Sequence, residues 1–193
     1  MTSVKGKGKL ATIVGLDKTI IEEKCAKANG LSGEVRIALE NSEQQYVIGG
    51  KEEDVDIVVA LLKEEKNKGI FELKVSNAFH TYLMEPMVDA FREFVNTIKF
   101  HETSAKILLN SKGGYSESIK EVKEDIIKQC VSTVKWSDCM KLLLTNENID
   151  IAEIGVGRVL TNLMRSFSVE KKIYSLSNKR DFEQFRNIFG GVM

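Results

Sequence analysis

The order of apolar patterning between residues 8 and 75 restricts the fold more than any other feature of the sequence. Residues 10–16, LATIVGL, are rich in strand-forming side chains and end the run in a glycine. DKTIIEEKCAKANG then carries helical spacing. Ile21, Cys25 and Ala28 share one face, Thr19 and Glu22 stand at capping-box separation, and Asn29-Gly30 supplies the stop. EVRIALE and QQYVIGG read as two strands joined by the turn-forming Asn41-Ser42. In EEDVDIVVALLKEEK, Val55, Val58, Val59 and Leu62 repeat at helical spacing behind acidic residues suited to a helix N-terminus. IFELKV, residues 70–75, alternates as a strand. Strand, helix, strand, strand, helix, strand is the ferredoxin-like order. It predicts a compact α+β lobe over residues 8–75.

Residues 76–193 follow another pattern. Pro86 suits a first helical turn, and Met87, Phe91, Phe94, Val95 and Ile98 form one apolar stripe behind it. AKILLN (105–110) predicts a short strand before SKGGYSES. Ile119, Val122, Ile126 and Cys130 mark a helix, and WSDCMKLLL a shorter one. IDIAEIGVG (149–157) reads as a strand running into a glycine turn with a helix behind it, and KKIYSL (171–176) as a last strand. These pieces look like the edge of a larger α/β sheet whose other strands lie elsewhere. The fold class expected is therefore α/β, with an α+β lobe first.

Lys plus Arg and Asp plus Glu number 28 each, so the formal net charge is zero. A nucleic-acid binder held by phosphate contacts needs an excess of positive charge, so that class of partner is not expected. No apolar run reaches the length of a membrane span, and the basic start MTSVKGKGKL has no apolar stretch behind it to make a secretory signal. Cys25, Cys130 and Cys139 fit no zinc or redox spacing. They read as small core residues in a reducing, cytoplasmic setting, with no metal site and no cofactor.

The chemistry-bearing candidates are few. His80, one of two histidines, lies in NAFHTYLMEP at a strand-to-helix corner, where catalytic side chains are often displayed. A lone histidine is more commonly structural, so the corner raises the case for a base only a little. His101 reads as a surface residue. KGKGK (5–9) lacks phosphate-loop spacing and reads as a solvated, mobile N-terminus. EIGVGR (153–158) lacks the third glycine of a dinucleotide loop and reads as a tight turn. Gln129 is a helix-end residue and Trp136 a core candidate. No serine stands in a G-x-S-x-G context.

Taken in order, GKLATIVGL, IALENSEQQYVIGG, LKVSNAFHTYLMEPM, ILLN, IIKQCVSTVKW and EIGVGRVLTNLMRSF resemble successive segments of the malonyl-CoA:acyl-carrier-protein transacylases. These include the acyltransferase domains of fatty acid and polyketide synthases. VSNAFHTYLM and EIGVGRVL are the specific segments, and the resemblance runs from about residue 8 to about residue 180. It implies a ferredoxin-like small subdomain over residues 8–75. Residues 76–193 would be the C-terminal part of an α/β-hydrolase-like acyltransferase subdomain. It also implies a two-step transfer of malonyl from coenzyme A to the phosphopantetheine thiol of an acyl carrier protein, through an acyl-serine. His80 matches the family's base, and Gln129 the glutamine whose backbone carbonyl orients that imidazole. Asn41 matches an asparagine near the acyl site. Phe79 falls where malonyl-selective members carry an aromatic ring, which leaves little room for an α-methyl branch.

The family's G-H-S-x-G serine, its carboxylate-binding arginine and its N-terminal oxyanion loop have no counterpart in these residues, all three preceding the matched segment. Proline is absent from the family's loop positions at Glu43, Lys74, Thr133 and Val156, and Leu39 stands where a second asparagine is usual. Three readings follow. The chain is one half of a split transacylase whose serine arrives on a separate chain, or a non-catalytic module binding a carrier protein or synthase, or a truncated inactive remnant.

Overall fold

The computed structural model describes residues 8–29, 34–167 and 171–190. It resolves into two compact units, residues 1–139 and 140–193. Lys5–Lys7 of the basic N-terminal run lie outside the described residues.

The first unit opens with β1 (Lys9–Val14), α1 (Lys18–Asn29), β2 (Arg36–Ser42), β3 (Gln45–Gly50), α2 (Glu52–Lys63) and β4 (Gly69–Glu72). The strands form one sheet in the order β2-β3-β1-β4, every neighbouring pair antiparallel. Ile21, Cys25 and Ala28 of α1 and Val55, Val58 and Leu62 of α2 bury against Ile13, Ile37 and Ile48 of the sheet. The helical spacing in the sequence is thus the packing face.

Several boundaries differ from expectation. Helix α1 begins at Lys18, one residue before Thr19, and the Asp17 carbonyl accepts from the Ile21 amide, so the Thr19–Glu22 capping box is not used. Strand β2 runs on through Asn41 and Ser42, and the turn falls on Glu43-Gln44. Two bulges, between Ile37 and Leu39 and between Glu40 and Ser42, each add a residue that local patterning does not reveal. The Ser42 hydroxyl then accepts from the Gln44 amide and holds the turn. Helix α2 stops at Lys63, where the Asn67 side chain reaches back to the Leu62 carbonyl.

Beyond the sheet come a 3-10 turn (Tyr82–Met87), α3 (Val88–Thr97), the short hairpin β5 (Leu108–Leu109) and β6 (Gly114–Tyr115), α4 (Ile119–Lys128), a 3-10 turn (Gln129–Val131) and α5 (Trp136–Leu144). Pro86 sits inside the first 3-10 turn rather than opening the α-helix. The stripe on α3 is only partly covered: Met87 and Val95 are buried, while Phe94 and Ile98 are exposed. Helix α4 is capped by the Ser118 hydroxyl, which accepts from the Glu121 amide. Cys130 falls in the 3-10 turn and is half-buried, and Trp136 opens α5 half-buried instead of entering the core.

The edge strand β2 grips the segment behind that turn. Val134 N–H donates to Ala38 O at 2.9 Å, Glu40 N–H donates to Val134 O at 2.9 Å, and the Thr133 hydroxyl donates to Ile37 O at 2.7 Å. This clamp anchors the stretch that follows Gln129 to the rigid sheet.

In the second unit, β7 (Ile151–Ile154) and β8 (Ile173–Leu176) pair in parallel through the crossover helix α6 (Val159–Arg165), and α7 (Lys179–Phe189) follows. Glu153 caps α6. Its carboxylate accepts from the Thr161 amide and hydroxyl and from the Leu160 amide at 2.7–3.1 Å. Those bonds hold its carboxyl below the usual range, the Thr161 hydroxyl contributing most. Glu153→Ala strands these donors at a cost of about 1 kcal/mol, the usual worth of a cap. Amide exchange at Leu160 and Thr161 should therefore quicken about fivefold, while Glu153→Gln, which keeps an acceptor oxygen, should change it less.

Candidate functional site

The corner that carries His80 is built by short-range bonds. After β4, Leu73 N–H still donates to Leu10 O, and the chain then turns in. Asn77, Ala78 and Thr81 are buried, Phe79 N–H donates to Asn77 O, and the Thr81 hydroxyl donates to Ala78 O at 2.6 Å. Between them His80 takes φ +64°, the one left-handed non-glycine residue among those described. Histidine tolerates this region better than most side chains, but it remains uncommon and is held here by tertiary contacts.

Two of those contacts come from the 3-10 turn after α4. His80 N–H donates to Cys130 O at 3.1 Å, and the ring Nδ1 lies 2.6 Å from Gln129 O. A carbonyl oxygen can only accept, so Nδ1 carries the proton and Nε2 keeps its lone pair. The imidazole is half-buried. Loss of solvent pushes its pKa below 6.5, and the bond to Gln129 O opposes this without reversing it. The ring is therefore largely neutral at pH 7, the state in which Nε2 can take a proton.

The sign of the linked pH effect follows. A group with a depressed folded-state pKa binds fewer protons folded than unfolded at acid pH. The neutral ring's contribution to stability is complete above the unfolded value of 6.5 and is lost as pH falls through the folded value. Urea unfolding of the wild type and of His80→Asn should show a wild-type advantage at pH 7.5 that shrinks toward pH 5. A gap that widens on acidification would contradict the neutral assignment.

Gln129 is itself fixed. Its N–H bonds to Asp125 O at the end of α4, and its side-chain Oε1 accepts from Asn110 Nδ2 at 2.7 Å. Phe79, with Phe91, Cys130 and Val131, packs against the buried pair Met84 and Met87. Asn41 lies half-buried at the second bulge of β2, and no hydrogen bond joins it to His80 or Gln129 among the described residues. The structure thus joins His80 directly to Gln129, seats Phe79 in an apolar cluster one residue away, and leaves Asn41 on the sheet. Asn110 and the buried Asp125 behind it were not legible as site residues: their partners lie 15 and 19 positions away and leave no periodic trace.

The other candidates carry less. His101 is exposed. At the Gly155-Val156-Gly157 turn, the Glu153 carboxylate already occupies the first amides of α6, where a phosphate would bind. Burial pushes the Cys25 thiol up to about 12 and raises Cys130 and Cys139 as well, so none is a ready thiolate. No helix of the described residues is long and apolar enough to cross a membrane.

The structure is a mixed α/β scaffold, and the relatives this chain resembles are acyltransferases. More narrowly, its homologues and structural neighbours are malonyl-CoA:acyl-carrier-protein transacylases and a polyketide biosynthesis protein. The extent of the match is in keeping with a C-terminal portion of that family. The malonyl CoA-acyl carrier protein transacylase of Bacillus subtilis is 26% identical over 178 residues, covering 92% of this chain and 56% of that protein. The polyketide biosynthesis protein PksE of the same organism is 26% identical over 198 residues, covering 96% of this chain and 25% of its own length. The crystal structure of FabD from Acinetobacter baumannii superposes with a TM-score of 0.88 at 27% identity, over 100% of this chain and 62% of that one. This chain accordingly spans about half the length of the transacylases it matches, 56% in the Bacillus subtilis case. No protein-family model matches it.

Proposed function

We propose that this chain supplies the general base of a malonyl transfer from coenzyme A to the phosphopantetheine thiol of an acyl carrier protein. The observation that carries the reading is the 2.6 Å bond from His80 Nδ1 to Gln129 O, which leaves Nε2 free to accept. In the first half-reaction Nε2 takes the proton of a serine hydroxyl as that oxygen attacks the thioester carbonyl, and returns it to the departing coenzyme A sulfur. In the second, Nε2 takes the proton of the carrier thiol as the sulfur attacks the acyl-serine, and gives it back to the serine oxygen. Each half-reaction ends with the imidazole neutral.

The serine and the arginine that pairs with the malonyl carboxylate belong, in this reading, to polypeptide beyond these 193 residues, which contain no G-x-S-x-G. We assign residues 8–75 to a ferredoxin-like small subdomain, supported by the β2-β3-β1-β4 order, and residues 76–193 to part of an α/β-hydrolase-like subdomain. Phe79 bounds the acyl site against a methyl branch, and Asn41 borders it. Ile154 and Val156, 84% and 99% exposed on and just after β7, are consistent with an incomplete sheet awaiting further strands.

Co-production with a polypeptide carrying the G-H-S-x-G elbow tests the reading. Malonyl transfer to holo carrier protein should exceed that of the serine-bearing polypeptide alone. No gain in rate overturns the proposal. Equal carrier binding by the wild type and His80→Ala, with no transfer by the complemented wild type, would favour a non-catalytic binding module.

A further inference from the structure

Gln129 presents a backbone carbonyl to His80, and a backbone carbonyl is aimed only by whatever holds its residue. Helix α4 ends at Lys128, the chain tightens into a 3-10 turn, and the peptide after Gln129 carries the oxygen that receives Nδ1–H. The side chain of that same residue is held from outside the helix. Asn110 Nδ2 donates to Gln129 Oε1 at 2.7 Å. We propose that Asn110 is a positioning residue for the His80 imidazole, acting through Gln129 to fix the carbonyl that selects the ring's tautomer. The inference rests on the transfer reading for its functional meaning and on geometry alone for its content.

Asn110 suits the role because its own backbone is pinned at both ends. Its N–H donates to Asp125 Oδ2 at 3.0 Å and its carbonyl accepts from Lys135 N–H at 2.8 Å. Asp125 is buried, and its other oxygen accepts from the Ser111 amide at 2.9 Å and from the Ser111 hydroxyl. The carboxylate therefore sets the loop after β5 in a fixed place. Lys135 adjoins Val134, which β2 clamps through Ala38 and Glu40. The Asn110 amide is thus tied to α4 on one side and to the sheet on the other. A side chain braced in this way can resist rotation of Gln129 when the imidazole becomes charged during turnover and strengthens its bond to the carbonyl.

The bland alternative is that Asn110 only braces the β5–β6 hairpin. Ser111 separates the two, because its hydroxyl bonds to the same Asp125 without touching Gln129. The experiment is nitrogen NMR of the His80 ring in the 193-residue chain, across a pH titration, for wild type, Asn110→Ala, Ser111→Ala, Gln129→Ala and the Asn110→Ala/Gln129→Ala pair. The wild-type neutral ring should be mainly the Nδ1–H form. Asn110→Ala should raise the ratio of Nε2–H to Nδ1–H by about threefold, in line with the loss of one modest hydrogen bond. Gln129→Ala should do the same from the other end of the bond while leaving the backbone anchors of Asn110 in place. The pair should add nothing to either single change, since both delete one contact. Ser111→Ala should leave the ratio unmoved.

Equal ratios in Asn110→Ala and Ser111→Ala overturn the inference. If Asn110→Ala does not fold, an unmoved ratio in Gln129→Ala overturns it instead. Failure here and failure of the transfer reading are distinguishable. A shifted ring in a complemented enzyme that transfers no malonyl sinks the reaction and keeps the positioning role, whereas transfer with an unmoved ring sinks the positioning role alone.

Discussion

Malonyl transfer by the complemented enzyme is expected to fall by about a thousandfold or more when His80 becomes alanine, if the ring is the general base proposed above. On that proposal the ring handles a proton and does not bind the acyl chain, so the loss should appear in kcat with KM little changed. Alanine has a second effect, since it removes the Nδ1 bond to Gln129 O and puts a side chain poorly suited to φ +64° at the corner. His80→Asn separates the two effects. Asparagine tolerates the left-handed region and can donate its amide to the same carbonyl, yet it has no basic nitrogen. It should fold better than the alanine variant, by thermal melting, and transfer no faster. Retention of more than a tenth of the wild-type kcat in His80→Asn would remove the imidazole from the mechanism.

Ile48→Ala is expected to destabilise the first unit by about 3–4 kcal/mol, read as a lowered urea midpoint. Ile48 has no exposed surface, lies in the inner strand β3, and is paired to Ala11 on one side and Ile37 on the other. Truncation removes three carbons from a site walled by two helices and a sheet that cannot all collapse inward, so the transfer loss and the cavity cost add. Ile48→Val removes one carbon and should cost about 1 kcal/mol. A smaller second consequence is local. Ile37 carries the carbonyl that receives the Thr133 hydroxyl, so loosening the sheet should also raise amide exchange at Val134, whose N–H bonds to Ala38 O.

The lobe was legible because each of its helices buries one face against one sheet. Ile21, Cys25 and Ala28, or Val55, Val58 and Leu62, then recur at a spacing that the sequence displays directly. What patterning missed was set by single hydrogen bonds. The β2–β3 turn moved two residues because bulges lengthen β2, and the Ser42 hydroxyl closes the new turn. Helix α7 is different: it repeats Phe182, Phe185 and Ile188 at helical spacing, and Phe185 packs edge-on against Tyr174 of β8, so the expectation from sequence stopped short of it although the stripe is there. In the site, His80 drew notice from its corner and from a resemblance that spans most of the chain. The frame behind it did not, because Asp125, Ser111, Asn110 and Gln129 are joined by polar contacts that no hydropathy period encodes.

The left-handed backbone at position 80 also bears on how such a chain would age. Were selection on proton transfer to lapse, the first replacements to survive there would be glycine, asparagine and aspartate, which accept that dihedral at little expense. Valine and isoleucine would be purged by misfolding before their chemistry was ever sampled. A descendant carrying asparagine there could keep both the backbone path and a donor to the Gln129 carbonyl, whereas glycine or aspartate would keep the path and leave that carbonyl without its partner.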